Sequence, residues 1–158
     1  MLRDVVIDTN VFVHATNREN FAFASSIALM EELRVVSTAL CVDAPSLERA
    51  RGDLGAIMNE YRSNLTFGML GFAVLGHLAS NERLRFIDTD VAQQDRRDVW
   101  TLLDGRVDRV FALVAIKSEE RELVTHDDTD FDEVVCEALL TRWGVSVTNA
   151  AGALGLLK

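Results

Sequence analysis

Residues 4–15 read DVVIDTNVFVHA. Val5, Val6 and Ile7 form an unbroken β-branched run, which suits a short buried strand. The run stops at Asp8, and Asn10 and His14 follow it closely. An acid at such a joint has an ordinary explanation, a helix cap or an Asx turn. It gains a second one if the strand belongs to a parallel sheet, because ligands gather beyond the carboxyl ends of such strands.

Outward from this stretch, similar runs recur at RVVSTALCV (34–42), LRFI (84–87), ELVT (122–125) and VSVT (145–148). Between them the apolar residues fall at helical steps. Phe23, Ile27, Met30 and Leu33 mark one face of a helix over 21–33. Pro45 opens a helical stretch from Leu47 through Leu54 and Ile57 to Tyr61, weakened by Gly52 and Gly55, with Asp53 as an alternative start. DVAQQDRRDVWTLLDG (90–105) holds a polar helix, and Val107, Val110, Phe111 and Val114 mark an amphipathic one. Residues 131–143 make a further helix that Gly144 ends, and a small-residue tail follows 148. Strands alternating with helices imply crossover connections, hence an α/β fold with a central, mainly parallel sheet covered on both faces. A chain of 158 residues suits a single domain over 1–158.

Composition narrows the function classes. The net charge is −9, and fourteen of the sixteen basic residues are arginine, the lysines being Lys117 and Lys158. Such a surface does not hold nucleic acid by bulk attraction, so any binding must be local. Cys41 and Cys136 lie in apolar runs without a C-x-x-C partner, which suits packed thiols in a reducing compartment. No secretory leader is legible at MLRDVVID, so a cytoplasmic location is expected. LTFGMLGFAVLGHLA (65–79) is the longest apolar stretch, but it is shorter than the ~20 residues a bilayer span needs. It reads as core, or as a subunit contact in a homodimer.

Four acids fall at element ends or stripe edges. Asp8 follows the first strand and Asp127 follows ELVT; Asp108 begins a helix beside Val107, and Glu60 borders the stripe of Ile57 and Tyr61. Carboxylates within ~4 to 6 Å of each other resist joint ionisation, and a divalent cation removes that conflict. Mg²⁺ and Mn²⁺ take oxygen ligands and can activate water beside a phosphoryl group. The histidines, at 14, 77 and 126, are spread along the chain and suggest no zinc site. Singly, each acid has a plain structural reading: a cap at Asp8, a favourable dipole contact at Asp108, a solvated helix residue at Glu60.

In order, these segments resemble the PIN-domain ribonuclease family. DTNVF (8–12) is similar to its opening acid motif and NEYRSNL (59–65) to the segment carrying a second acid in some members. DRVFALVA (108–115) resembles the third motif and LVTHDDTDF (123–131) the last, so the likeness covers residues 4 to 148. It implies a three-layer α/β/α domain in which Asp8, Glu60, Asp108 and Asp127 bind Mg²⁺ or Mn²⁺. The activity implied is endoribonuclease cleavage of RNA by metal-activated water, leaving a 5′-phosphate and a 3′-hydroxyl. Asn10 and Thr125 carry over as supports that hydrogen-bond the carboxylates or the attacking water. The second acid stays open among Glu60, Asp43 and Glu48. At the last motif Asp128 is able to assist or replace Asp127, and Asp130 is expected to cap the helix from Phe131. The resemblance also implies a toxin restrained by an antitoxin protein, or a homodimer.

Arg62, Arg83, Arg85, Arg96, Arg97, Arg106 and Arg109 are the candidates for phosphate contacts. The main alternative is a non-catalytic PIN-like module that binds RNA or protein. An aspartate-nucleophile phosphatase expects an acid where Asn10 stands. A phosphoacceptor signalling domain expects a lysine late in the sheet, and Lys117 precedes the ELVT strand.

Overall fold

The first strand, β1 (Asp4–Ile7), is buried along its whole length, and so are β2 (Ala39–Asp43) and β4 (Glu122–Val124). Strands without a solvent face belong to the middle of a sheet covered on both sides. The computed structural model, which describes residues 1–45 and 52–158, places them there. With β3 (Leu84–Ile87) and β5 (Ser146–Thr148) they form a five-stranded sheet in the order β3-β2-β1-β4-β5. Every pairing is parallel; Val5 lies opposite Leu40, and Ile7 opposite Val124.

This order locates a functional rim. From β1 the chain steps outward through β2 to β3, then crosses back and adds β4 and β5 on the other side. The direction reverses between β1 and β4, and in open α/β sheets the crevice at such a reversal, beyond the carboxyl ends, receives ligands. Asp8 and Thr125 leave the sheet side by side there. The Asp8 N–H donates to Val124 O at 2.8 Å, and the Thr125 N–H to Thr148 O at 2.9 Å. The order also differs from the 2-1-3-4-5 arrangement of phosphoacceptor domains.

Helices cover the sheet in a three-layer α/β/α arrangement. Helix α6 (Arg106–Lys117) lies over β1, β2 and β4, burying Phe111 through Ala115, with α3 (Ala56–Asn64) and α5 (Gln93–Leu102) beside it. Helix α2 (Phe23–Val35) packs on α4 (Leu70–Ser80) and on α8 (Ala150–Leu157), while α7 (Glu133–Trp143) lies along β5. The short α1 (Thr9–His14) continues directly from Asp8. Cys41 and Cys136 are free thiols. Among the described residues no helix is long and apolar enough to cross a membrane.

Several expectations need correction. Arg34 and Val35 end α2 instead of opening a strand. The stretch around Leu47 lies outside the described residues, and α3 starts at Ala56, beyond Asp53. Helix α7 starts at Glu133, and its cap is Asp132, whose side chain accepts the Val135 N–H; Asp130 does not cap it. The tail is a helix: Asn149 caps α8 by accepting the Gly152 N–H at 2.9 Å, and Ala150, Ala153 and Leu157 are buried.

Candidate functional site

Asp8 occupies the N-cap position of α1, yet its side chain forms no capping hydrogen bond. Instead Oδ2 accepts from Thr125 Oγ1 at 2.7 Å and from Asn10 Nδ2 at 2.8 Å. Asn10 is itself a bridge: Nδ2 also reaches Thr125 Oγ1 at 3.3 Å, and Oδ1 accepts the His126 N–H at 3.1 Å. The loop after β4 is thereby tied to the loop after β1. Burial pushes the Asp8 carboxyl above its ordinary range, the Thr125 and backbone contacts pull it down, and the charge of Asp127 pushes it up again.

Asp127 is shaped by a turn. Its N–H donates to Thr125 Oγ1 at 3.0 Å, and its Oδ1 accepts the N–H groups of Thr129 and Asp130. One carboxylate oxygen is thereby committed to that turn. Asp128 is exposed beside it. Asp130 faces Asp127, whose charge raises its carboxyl, with Asp104 adding to the effect.

Asp108 enters from α6, one turn after Gly105. A Cβ at Gly105 would lie 1.8 Å from Asp108 Oδ2, so the missing side chain is what makes room for this carboxylate. Burial raises Asp108 from 3.8 to about 6, and Asp8, Asp130, Asp127 and Glu60 each push in the same direction. Asp108 therefore feels the charges of these four acids.

Glu60 reaches the rim through its neighbour Tyr61. Tyr61 is fully buried, packs edge-on against Phe12 at 5.1 Å, and donates its hydroxyl to the carbonyl of Ile7. This anchors α3 to the end of β1. Glu60 itself is half-buried, steadied by Asn64 Nδ2 at 3.2 Å, and lines a hollow of about 350 Å³ with Asn59, Ser63 and Arg106. Asp43, the rival second acid, has another task. Its two carboxylate oxygens accept the Ala56 and Ile57 N–H groups at 2.7 and 2.8 Å, capping α3 from the end of β2. Gly55, at φ 97°, passes so close to Asp43 that a Cβ would meet its backbone oxygen at 2.5 Å. The third rival, Glu48, lies outside the described residues.

No family model matches the chain. No curated protein matches it either. What the site can do is therefore argued from its own groups. Asp8, Asp127, Asp130 and Glu60 lie near enough to Asp108 for their charges to act on it, and Asp104 acts in the same way on Asp130. The donor set is all carboxylate oxygen, the chemistry that suits a hard divalent cation. Among the described residues, no three His, Cys, Asp or Glu side chains stand close enough together to form a ready-made metal cage. Mg²⁺ does not require one, since it is held by one or two carboxylates while water and phosphate complete its shell. The residues present fit an ion bound in that manner.

The histidines and arginines depart from expectation. His14 and His126, although 112 residues apart in sequence, meet with Nδ1 to Nδ1 at 2.8 Å. Arg83 is occupied by the carbonyls of Leu33 and Thr38, and Arg85 by Asp4 and Glu119, at the opposite end of the sheet from Asp8. Arg109 caps the Leu103 carbonyl and lies over Trp100, as does Arg96. Of the seven arginine candidates, Arg106 is the one that lines the hollow with Glu60.

Proposed function

We propose that this chain is a metal-dependent endoribonuclease of PIN-domain type, which hydrolyses RNA phosphodiester bonds at the rim between β1 and β4. The observation that carries the reading is Asp8, buried where β1 ends at the reversal of the sheet. Its side chain leaves α1 uncapped and is held through Oδ2 by Thr125 and Asn10, with Asp127 and Asp108 near enough for their charges to act together with it. Carboxylates from four distant segments whose charges act on Asp108 are a repulsive arrangement, and folds keep such arrangements mainly where charge is to be bound.

Asp8 with one of its neighbours Asp108 and Asp127 would hold Mg²⁺ or Mn²⁺ directly, and the remaining carboxylates, Glu60 among them, would act through the water that completes its shell. When bound, the ion supplies a positive field that favours hydroxide over water and offsets charge on the phosphoryl oxygens. The protein's own part is orientation. Thr125 and Asn10 fix Asp8 through Oδ2, the Thr129 and Asp130 N–H groups fix Asp127, and Gly105 clears the space for Asp108. Arg106 supplies a cation for a flanking phosphate.

In this reading the partners are RNA and either an antitoxin protein or a second copy of the chain. For the protein partner the candidate surface is the start of α4, where Phe67 and Phe72 are exposed with their rings 6.2 Å apart. A second reading is a non-catalytic module of the same fold, which suits the finding that no three His, Cys, Asp or Glu side chains form a cage among the described residues. A single assay separates them: labelled RNA with Mg²⁺, Mn²⁺ or chelator, comparing wild type with Asp8→Asn and Asp108→Asn. Cleavage that needs metal and vanishes in both variants is expected. Cleavage in chelator, or undiminished in both variants, overturns the nuclease proposal, and no cleavage under any condition favours the module.

A further inference from the structure

Phe21 is 89% exposed, yet the turn that carries it is well tied. Asn17 Oδ1 accepts the Glu19 N–H at 3.0 Å, Asn20 Oδ1 accepts the Ala22 N–H at 2.8 Å, and the Phe23 N–H donates to the Asn20 carbonyl at 3.0 Å. These are side-chain turns that set the backbone on both sides of Phe21. A ring left in water contributes almost no burial to stability, so packing does not account for its placement.

Its neighbours are aromatic. The Phe21 centroid lies 6.4 Å from His14 and 6.3 Å from His126, with the planes tilted by 58° and 54°. The two imidazoles are parallel to within 4°, their centroids 5.0 Å apart, and they meet through Nδ1. The Ala150 N–H donates to His126 Nε2 at 3.2 Å, which leaves the proton of a neutral His126 on Nδ1, where it is donated to His14. The corner is thus faced by rings. It opens on a hollow of about 390 Å³ that Asp127, Thr148 and Asn149 also line.

Charge selects the ligand. Asp127 and Asp128 border the same hollow and repel phosphate, whereas a nucleobase is neutral and has a π-face. A chain with net charge −9 gains little from the RNA backbone and must take hold of its bases. We propose that Phe21, backed by His14 and His126, is a stacking platform for an unpaired nucleobase of a single-stranded substrate, beside the acidic rim. The choice of nucleic acid as ligand rests on the nuclease reading above.

The test uses the full-length chain with Ca²⁺ present and short single-stranded oligonucleotides carrying aminopurine, in RNA and DNA forms, with abasic strands as controls. Wild type should quench the fluorescent base. Phe21→Ala should weaken binding on the order of tenfold, with Phe21→Trp restoring it and Phe21→Leu failing to. Abasic strands should bind all four proteins alike. Equal binding of RNA and DNA supports a platform that reads base faces, and RNA selectivity supports one with an added 2′-hydroxyl contact. Unchanged affinity and quenching in Phe21→Ala, or a Phe21→Leu protein as good as Phe21→Trp, overturns the platform and leaves Phe21 to a protein contact. The two proposals fail separately. Phe21-dependent binding without Mn²⁺-dependent cleavage removes the nuclease and keeps the platform. Cleavage that ignores Phe21 does the reverse.

Discussion

Tyr61 donates its hydroxyl to the carbonyl of Ile7, the residue immediately before Asp8. One side chain therefore couples the helix that carries Glu60 to the strand that carries the first acid. Tyr61→Phe removes a hydrogen bond from a fully buried place, a loss of about 0.5–1.5 kcal/mol. Denaturant unfolding should show a lower midpoint at unchanged slope, and RNA cleavage, normalised to folded protein, should fall as Glu60 loses its anchor.

Asp43 and Glu60 separate cleanly by experiment. Asp43→Ala removes the side-chain acceptor for two N–H groups of α3 and should cost about 0.5–2 kcal/mol of stability. Glu60→Gln keeps the helix and its exposed contact with Asn64, so its thermal midpoint should match wild type while metal-dependent cleavage declines. A stable, inactive Asp43→Ala protein would reverse the two roles.

The raised carboxyl of Asp108 sets a sign for pH. Its folded value of about 6 exceeds the ordinary 3.8, so between those values the native state binds more protons than the unfolded chain. Stability from this group falls as pH rises through that window, and the penalty is complete above it. The group is half-exposed, so solvent screening keeps the effect modest. Wild type should melt at a lower temperature at pH 7.5 than at pH 5, and Asp108→Asn should narrow the gap by gaining at the higher pH only. Mn²⁺ should raise the midpoint of wild type more than that of Asp108→Asn.

Thr125 positions Asp8 through Oγ1 and touches no substrate in the proposed scheme. Thr125→Val should cost about 10–100-fold in metal affinity or activity, and Thr125→Ser should recover most of it. Titrating Mn²⁺ against each variant distinguishes this from a folding defect, since only the apparent metal affinity should shift.

The strands were readable because a parallel strand covered on both faces must be a largely apolar run, as VVI at 5–7 and LV at 123–124 are. The strand order was not, since any of the five runs is chemically fit to sit next to β1. The meeting of His14 with His126 depends on that order and so was equally hidden. Helix α8 escaped because Gly152 and Gly155 depress its propensity; contact with α2 and the Asn149 cap hold it instead. Asp132 and Asp130 flank Phe131 symmetrically in sequence, and only the turn closed by Asp127 Oδ1 decides which of them caps α7. Asp43 and Glu60 were indistinguishable because the cap joins residues 13 positions apart.

The bond between Thr125 and Asp8 spans 117 residues, and β1 is the centre of a sheet whose second half is the last to be made. During synthesis the amino-terminal strand leaves the ribosome early and acquires β2 and β3, while its other edge waits for β4 with its hydrogen-bonding groups unpaired. Until that strand arrives the crevice has only one wall. A polypeptide terminated before β4 is thus both sticky and chemically incomplete, and for a protein proposed to cut RNA this delays any harm until that strand has been made.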